Sequence, residues 1–195
     1  MTSAVSREGK TSVASKLAAN IAEVSGQPTL LIDADMRDPS LHEVFEIPLG
    51  PGLAEVLSGE ASLDEVIVGI TSGPVQVIPA GRLTVSATHL FGNDTFHDLL
   101  SALRLQYRYI VIDCPPLLAA SEALVVAKEA DGTLLCAMRD VSQFSKVRLA
   151  RDRLVAAGAR PLGVVLSGVP PKNYAARYGR YYATTNHGGI DDSAL

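Results

Sequence analysis

The chain has 195 residues, a length that fits one compact domain. Hydrophobic residues make up 47% of it and charged residues 19%, a balance that excludes a disordered chain. The formal net charge of −4 argues against a dedicated nucleic-acid-binding protein.

Short apolar runs alternate with helical patterns along the chain. In the first half of the chain, these patterns predict the end of a strand at 2–5, a helix at 11–24 that stops at Gly26, and strands at 29–33 and 75–79. In the second half they predict a helix at 96–107, a strand at 109–113, a helix at 122–129, a strand at 132–138, a helix at 142–157 and a strand at 161–166. Uncharged strands that alternate with amphipathic helices predict an α/β fold with a mostly parallel sheet, covered on both faces. We assign residues 1–169 to this domain and residues 170–195, rich in Pro, Tyr, Arg and Gly, to a flexible tail.

The segment from Ala4 to Thr11 reads AVSREGKT, a P-loop pattern with alanine in place of the first glycine. In such a loop the backbone N–H groups and the following helix N-terminus face the phosphates, and Gly9 permits their close approach. Lys10 is expected to neutralise the β- and γ-phosphates, and the Thr11 hydroxyl to bind Mg²⁺. Since only four or five residues precede the loop, we interpret Met1 as an internal residue of a first strand that starts earlier.

Three carboxylates follow two of the predicted strands. Asp33 and Asp35 come at the end of a buried run, where open α/β sheets bind ligands, and their spacing puts them on one face of an extended segment. Like charges in that position repel each other, and a divalent cation would offset the repulsion. Asp113 ends the run YIVID and fits the acid that holds Mg²⁺ through water. The motifs predict an ATP·Mg²⁺ site in which Thr11 and the three aspartates hold the metal.

With these motifs in this order, the chain resembles the cytoplasmic kinase domain of bacterial tyrosine autokinases of polysaccharide export. These proteins are relatives of the Min-type and Par-type ATPases. The resemblance runs from residue 2 to about residue 182. It rests on the loop at 2–11, the acidic motif at 31–39 that includes Arg37, the strand at 110–116, the segments at 52–59, 131–139 and 162–166, and a tyrosine-rich tail. It implies a P-loop NTPase fold with three α/β/α layers.

The resemblance also implies which residues act. The nucleotide would be bound by Arg7, Glu8, Gly9, Lys10, Thr11, Ser12 and Arg139. Lys10, Asp33 and Asp35 would be catalytic, with one of the two aspartates orienting or deprotonating the attacking tyrosine hydroxyl. The phosphate acceptors would be Tyr174, Tyr178, Tyr181 and Tyr182, four of the six tyrosines, presented by the tail to a neighbouring subunit in a ring.

The family context implies partners and a location. The activator would be a membrane protein of the chain-length-determinant type, on the same natural chain or as a separate subunit.

The cysteines, Cys114 and Cys136, lack metal-ligand spacing and are expected to be free thiols in a reducing compartment. Neither a membrane span nor a signal peptide is predicted. We therefore expect a domain in the cytoplasm, at the inner face of the cell membrane, that forms a homo-oligomeric ring, binds no nucleic acid and regulates exopolysaccharide or capsule synthesis and export.

Two other functions stay open at the level of the sequence. A Min/Par-type ATPase switch usually has a lysine five residues before the loop lysine, where this chain has Val5. A non-catalytic ATP-binding scaffold of polysaccharide export is suggested by departures from the autokinase pattern. Ser6 and Arg7 stand where the family commonly has Pro-Gly, and Ser167 stands where it often has an asparagine that contacts adenine.

Overall fold

The computed structural model describes residues 1–70, 73–92 and 94–170. Its strands are β1 (Thr2–Ser3), β2 (Thr29–Asp33), β3 (Val68–Gly69), β4 (Val75–Ile78), β5 (Tyr109–Asp113), β6 (Thr133–Met138) and β7 (Pro161–Ser167). Its helices are α1 (Lys10–Ser25), α2 (Leu41–Val44), α3 (Leu53–Ser58), α4 (Leu63–Val66), α5 (Ala87–Phe91), α6 (Thr95–Arg104), α7 (Glu122–Glu129) and α8 (Phe144–Ala156). Every element expected from the sequence is present near its predicted bounds, and β3 and α2 to α5 are additional.

The strands form two hydrogen-bonded groups, β1-β6-β7 and β3-β4-β2-β5. Backbone bonds of Met1 connect the groups, because its amino group donates to the Ile112 carbonyl (2.7 Å) and its carbonyl accepts from the Cys114 N–H (2.9 Å). β1 therefore lies between β5 and β6. Every assigned strand pair is parallel except β3 with β4, so the predicted mostly parallel sheet is confirmed.

Alternate residues of the central strands enter two separate apolar cores, one on each face of the sheet. On one face Leu31, Val77 and Val111 pack against the Ala14–Ala22 stripe of α1. On the other face lie the residues next to them in sequence, Leu30, Ile32, Ile78 and Ile112, together with side chains from α3, α5, α6, α7 and α8. This division follows from the two-residue period of a strand. The fold has three α/β/α layers, as predicted.

Parallel pairing brings the carboxyl ends of several strands to one edge of the sheet. Asp33 at the end of β2 is directly opposite Asp113 at the end of β5. Met138 at the end of β6 is opposite Ser167 at the end of β7. The loops that follow these residues, together with the turn from β1 into α1, form the edge at which sheets of this type bind ligands.

A short segment around Gly52 is packed tightly against the loop that follows β4. The Gly52 N–H donates to Glu55 Oε2 (2.8 Å), the Arg82 N–H donates to Glu55 Oε1 (2.9 Å), and the Leu53 N–H donates to the Pro79 carbonyl (2.8 Å). A Cβ atom at Gly52 would lie 2.3 Å from the Pro79 carbonyl oxygen. Only glycine fits there without moving backbone.

Within residues 1–70, 73–92 and 94–170, no helix has the length and apolar character needed to cross a bilayer. Both cysteines are buried and free, as predicted. The four candidate acceptors, Tyr174, Tyr178, Tyr181 and Tyr182, lie outside the described residues, and the boundary between domain and tail near residue 170 stays a prediction.

Candidate nucleotide and metal site

The P-loop is the turn between β1 and α1. Helix α1 begins at Lys10, and its N-cap, Gly9, has a φ of 78°. Arg7, two residues earlier, has a φ of 66°. Left-handed residues of this kind turn successive backbone N–H groups toward a common concavity, the usual form of a backbone anion site.

Glu8 supports the loop from inside the protein. Its side chain has no exposed surface. Oε2 accepts the Val5 N–H (2.8 Å) and Oε1 accepts the Ser142 hydroxyl (2.5 Å), whose oxygen in turn accepts the Met138 N–H (2.8 Å). The carboxylate is therefore engaged within the protein, and only the backbone of Glu8 is available to a nucleotide.

Lys10 is surrounded by acidic side chains. Its Nζ lies 2.8 Å from Asp35 Oδ2. Burial lowers the pKa of Lys10, but the charges of Asp113, Asp35 and Asp33 more than offset burial, so the pKa lies above its ordinary value. The side chain therefore keeps its positive charge at neutral pH, as a phosphate-binding lysine requires.

Thr11 and Asp113 face each other at the start of α1. The Thr11 hydroxyl donates to Asp113 Oδ2 (2.5 Å) and accepts from the Ser40 hydroxyl (3.1 Å). Burial raises the pKa of Asp113, and the opposing effects of Lys10 and Thr11 are smaller. In the part of the chain that the structure describes, Asp113 Oδ1 is buried without a hydrogen-bond partner. A buried carboxylate oxygen of this kind is free to accept a bond from a water or to bind a cation.

Asp33 and Asp35 differ in how their oxygens are used. Asp33 Oδ1 accepts the Asp35 N–H (3.1 Å), while Oδ2 accepts the N–H groups of Ser40 (3.1 Å) and Leu41 (3.0 Å). Burial raises the pKa of Asp33 to about 7, although these backbone hydrogen bonds oppose it. Asp35 Oδ1 accepts the Asp38 N–H (3.2 Å), and among the described residues the polar partner of Oδ2 is the Lys10 ammonium (2.8 Å). Asp33 therefore fixes the backbone of the acidic motif through both oxygens, whereas Asp35 does so through one oxygen and pairs the other with a side chain.

The oxygen ligands fit magnesium if the nucleotide completes the set. Among the described residues, no three His, Cys, Asp or Glu side chains form a group that would hold a metal ion alone. Mg²⁺ is commonly bound by one or two carboxylates, with waters and substrate phosphates as the other ligands. The Thr11 hydroxyl and the free oxygen of Asp113 supply ligands of the right type.

The remaining predicted residues lie around the loop. Ser12 is exposed on the first turn of α1. Arg139 follows β6, with its Nε 3.3 Å from Asp140 Oδ2 and its side chain 41% exposed. Ser167 is close to the loop, since a Cβ built on Gly9 would lie 3.2 Å from its hydroxyl oxygen. None of these side chains contacts Lys10 or Thr11 through an observed hydrogen bond.

Reasoning from the sequence missed three residues at this edge. Ser40 donates to Thr11, Ser142 donates to Glu8, and the buried Glu122 binds Arg37 (Nε to Oε1, 2.5 Å). Ser40 directly precedes α2, and a serine before a helix is a recognisable cap signal. The partners of Ser142 and Glu122 lie 134 and 85 residues away in sequence, so no local pattern indicates them.

Sequence comparisons relate the chain to named kinases. A family described as an AAA domain matches residues 7–139. Tyrosine-protein kinase CpsD of Streptococcus agalactiae is 31% identical over 182 residues, which cover 93% of this chain and 78% of that protein. Tyrosine-protein kinase etk of Escherichia coli K12 is 36% identical over 169 residues, or 87% of this chain. The match spans only 23% of the length of etk.

Solved structures agree with these relationships. The kinase domain of the Escherichia coli tyrosine kinase ETK superposes with a TM-score of 0.83 at 36% identity, covering 86% of this chain and 66% of that one. The septum site-determining protein MinD of Pyrococcus horikoshii, complexed with Mg-ADP, has a TM-score of 0.72 at 23% identity over 90% of this chain and 74% of that one, which shows a shared fold. On the family match and the similarity to CpsD, the chain belongs to the bacterial tyrosine-protein kinase family.

Proposed function

We propose that this chain is an ATP- and Mg²⁺-dependent protein-tyrosine kinase domain whose main acceptors are tyrosines of its own C-terminal tail. The observation that carries the proposal is the convergence of four groups at one edge of the sheet. The Lys10 ammonium pairs with Asp35 (2.8 Å). The hydroxyl of Thr11, the next residue of α1, donates to Asp113 (2.5 Å). A cation, a hydroxyl and two buried carboxylates are the groups that phosphoryl transfer uses.

Nucleotide binding would use the groups that are now paired with one another. Phosphate oxygens compete with Asp35 for the Lys10 ammonium, and the backbone N–H groups from Arg7 to Thr11 surround them. Ser12 and Arg139 would contribute at the margin of the site. When Lys10 turns to phosphate, Asp35 Oδ2 loses its present partner and becomes available to a substrate.

The three aspartates would then have distinct roles. The Thr11 hydroxyl and Asp113 would hold Mg²⁺, which neutralises charge on the β- and γ-phosphates when bound. Asp33, whose oxygens already accept three N–H groups, would reach the metal through water. We assign to Asp35 the orientation of the tyrosine hydroxyl. The hydroxyl oxygen bonds to the γ-phosphorus, the bond from that phosphorus to the β–γ bridging oxygen breaks, the proton passes to Asp35, and ADP leaves.

The setting of the reaction follows from the family resemblance. The acceptors would be Tyr174, Tyr178, Tyr181 and Tyr182, offered to a neighbouring subunit of a homo-oligomeric ring. The activator would be a membrane protein of the chain-length-determinant type that keeps the domain at the inner face of the cell membrane. The output would be control of exopolysaccharide or capsule synthesis and export, and nucleic acid would have no part in it.

The test is incubation of the protein, with its activator present, in ATP·Mg²⁺, followed by phosphopeptide mass spectrometry. We expect phosphate on the tail tyrosines and none on Tyr107, whose hydroxyl is bonded to Gln76 Oε1 (2.6 Å) and whose side chain is 7% exposed. In Lys10→Met the modification should disappear. Calorimetry on the same variant should show ATP·Mg²⁺ affinity reduced at least tenfold, or about 1.4 kcal/mol.

One outcome would favour the alternative function. Tight ATP binding by the wild type without any phosphotyrosine, in the presence of the activator, would identify a non-catalytic nucleotide-binding scaffold. Equal ATP affinities of the wild type and Lys10→Met would contradict the assignment of the loop itself.

A further inference from the structure

The P-loop of this chain contains a carboxylate that takes no part in the proposed chemistry. Glu8 lies between Arg7 and Gly9, both of which have positive φ. Its side chain is fully buried, although a carboxylate in an apolar interior costs several kcal/mol unless hydrogen bonds compensate. The burial of this carboxylate in the nucleotide-binding loop suggests that it has a specific structural role.

Both neighbours of the Glu8 side chain donate to it. The Val5 N–H donates to Oε2 (2.8 Å) and the Ser142 hydroxyl donates to Oε1 (2.5 Å). The Ser142 oxygen is already an acceptor for the Met138 N–H (2.8 Å), so its proton is free to point at Glu8. A carboxylate accepts at both oxygens, whereas a glutamine amide accepts at one only. The pocket is therefore matched to glutamate.

The two donors belong to different parts of the fold. Val5 is inside the P-loop, and its bond to Glu8 closes the loop on itself across three residues. Ser142 lies 134 residues further along the chain, between the end of β6 and the start of α8. The Glu8 carboxylate is therefore a direct link between the P-loop and the segment that leads into α8.

We propose that Glu8 is a positioning residue that holds the P-loop in its phosphate-binding curvature and, through Ser142, couples nucleotide occupancy to the β6–α8 connection. The coupling rests on the proposed function to the extent that the loop binds a nucleotide. Phosphates that order the N–H groups of the loop also order Val5 and Glu8. The Ser142 hydroxyl and the Met138 N–H are then held more firmly. The segment that leads into α8 is therefore more ordered when the nucleotide is bound.

The first experiment is calorimetry of ADP·Mg²⁺ binding to Glu8→Ala, Glu8→Gln, Ser142→Ala and the Glu8→Ala/Ser142→Ala double variant. We expect Glu8→Ala to lose roughly tenfold or more in affinity, Ser142→Ala to lose less, and Glu8→Gln to recover part of the loss. The double variant should bind ADP·Mg²⁺ no more weakly than Glu8→Ala does, because the two residues act through one hydrogen bond. Glu129→Ala is the matched control, since its carboxylate on α7 is bonded to His97 on α6 and neither helix carries a residue of the proposed coupling. It should bind ADP·Mg²⁺ like the wild type.

The second experiment reads the coupling directly by amide hydrogen exchange. In the wild type, ADP·Mg²⁺ should slow exchange across residues 142–147, a segment that excludes Arg139 at the margin of the nucleotide site. In Ser142→Ala, which keeps Glu8 and its bond to Val5, the nucleotide should still protect the P-loop but no longer that segment. This variant also carries the test if Glu8→Ala does not fold.

The outcomes separate the two proposals. Wild-type affinity in a folded Glu8→Ala variant, or unchanged protection of residues 142–147 in Ser142→Ala, overturns the role of Glu8. Failure of the wild type to bind ADP·Mg²⁺ at all overturns the proposed function instead.

Discussion

Arg7 occupies a backbone conformation that favours glycine. Its φ of 66° lies in the left-handed region, which costs an ordinary residue about 1–2 kcal/mol. The side chain is exposed, so little packing is lost when it is removed. Because of this strain, the presence of arginine at this position has a thermodynamic consequence.

We predict that Arg7→Gly stabilises the protein. Relief of about 1–2 kcal/mol of strain exceeds the 0.5–1 kcal/mol of extra unfolded-state entropy that a glycine brings, so the net gain should be about 0.5–1 kcal/mol. A thermal melt should show a rise in Tm of about 2 °C. Ser6→Gly is the matched control, because Ser6 is exposed and lacks positive φ, and it should lower the Tm. A lower Tm in Arg7→Gly would contradict the strain argument.

Residue identities at the site could be predicted from the sequence only where a local pattern exists. Lys10 and Thr11 follow from the loop motif, and Asp33 and Asp113 follow from their places after two apolar runs. The different use of Asp33 and Asp35 could not be predicted, because it depends on which backbone N–H groups of residues 35–41 turn toward each carboxylate. A pattern identifies the acid, whereas the surrounding backbone decides its role.

At the scale of elements, prediction succeeded where the pattern was long. Strands β2 and β5 have the predicted bounds, and α1 ends at Ser25, because the φ of 61° at Gly26 and its N–H bond to the Ala22 carbonyl (3.0 Å) terminate the helix. Helices α2 to α5 have four to six residues and are too short to show a helical period. Their positions depend on caps such as Glu55 and on packing against distant loops. A single sequence does not reveal such contacts.

The turn that precedes α3 has room only for glycine at position 52. Gly52→Ala would place a methyl group 2.3 Å from the Pro79 carbonyl oxygen and 2.6 Å from the Gly81 nitrogen, both backbone atoms with little freedom to move. We expect a loss of about 3 kcal/mol in the free energy of unfolding, measured by urea titration. Gly69→Ala is the matched control, since no described residue lies within 4 Å of its added Cβ and its φ is not positive. Equal effects of the two substitutions would be inconsistent with this packing.

Helices α6 and α7 are joined by a pair that responds to pH. His97 Nδ1 lies 2.7 Å from Glu129 Oε2, and this hydrogen bond, with the charge of Glu129, raises the pKa of His97 above its usual value. The folded state therefore holds the proton more tightly than the unfolded state. The resulting stabilisation is complete below about pH 6.5 and is lost as the pH rises through the higher folded-state pKa.

We therefore predict that His97→Gln changes the pH dependence of stability. From about pH 6 to about pH 8, the wild type should lose more unfolding free energy than His97→Gln. Comparison of the two titrations cancels the contributions of other groups, including Asp33. Glu129→Gln should flatten the profile in the same way, because it removes the partner and leaves the histidine. Parallel profiles for all three proteins would show that the pair does not contribute.

At the scale of the whole molecule, β1 joins the two groups of strands. It pairs with β6 in register, and Met1 bonds to both Ile112 and Cys114 on the side of β5. The predicted alternation of strands and helices was enough to indicate a parallel sheet with two covered faces. The order of the strands could not be predicted, because it depends on pairings between segments more than 100 residues apart, such as β1 with β6. The P-loop therefore starts from the strand that holds the two halves of the sheet together.

The two thiols flank β1, so their reactivity reports local opening of the structure around this strand. Cys136 is opposite Ser3 in register, and Cys114 follows β5 and bonds to Met1 through its N–H. Burial raises the pKa of each thiol to about 11, so at pH 8 both thiols are almost entirely protonated, and both side chains are buried. Alkylation by iodoacetamide therefore requires the structure around these strands to open. We expect slow labelling of both cysteines at equal rates, measured by mass spectrometry, and further slowing by ADP·Mg²⁺. Rapid labelling of the native protein without denaturant would mean that the central strand opens far more easily than its contacts imply.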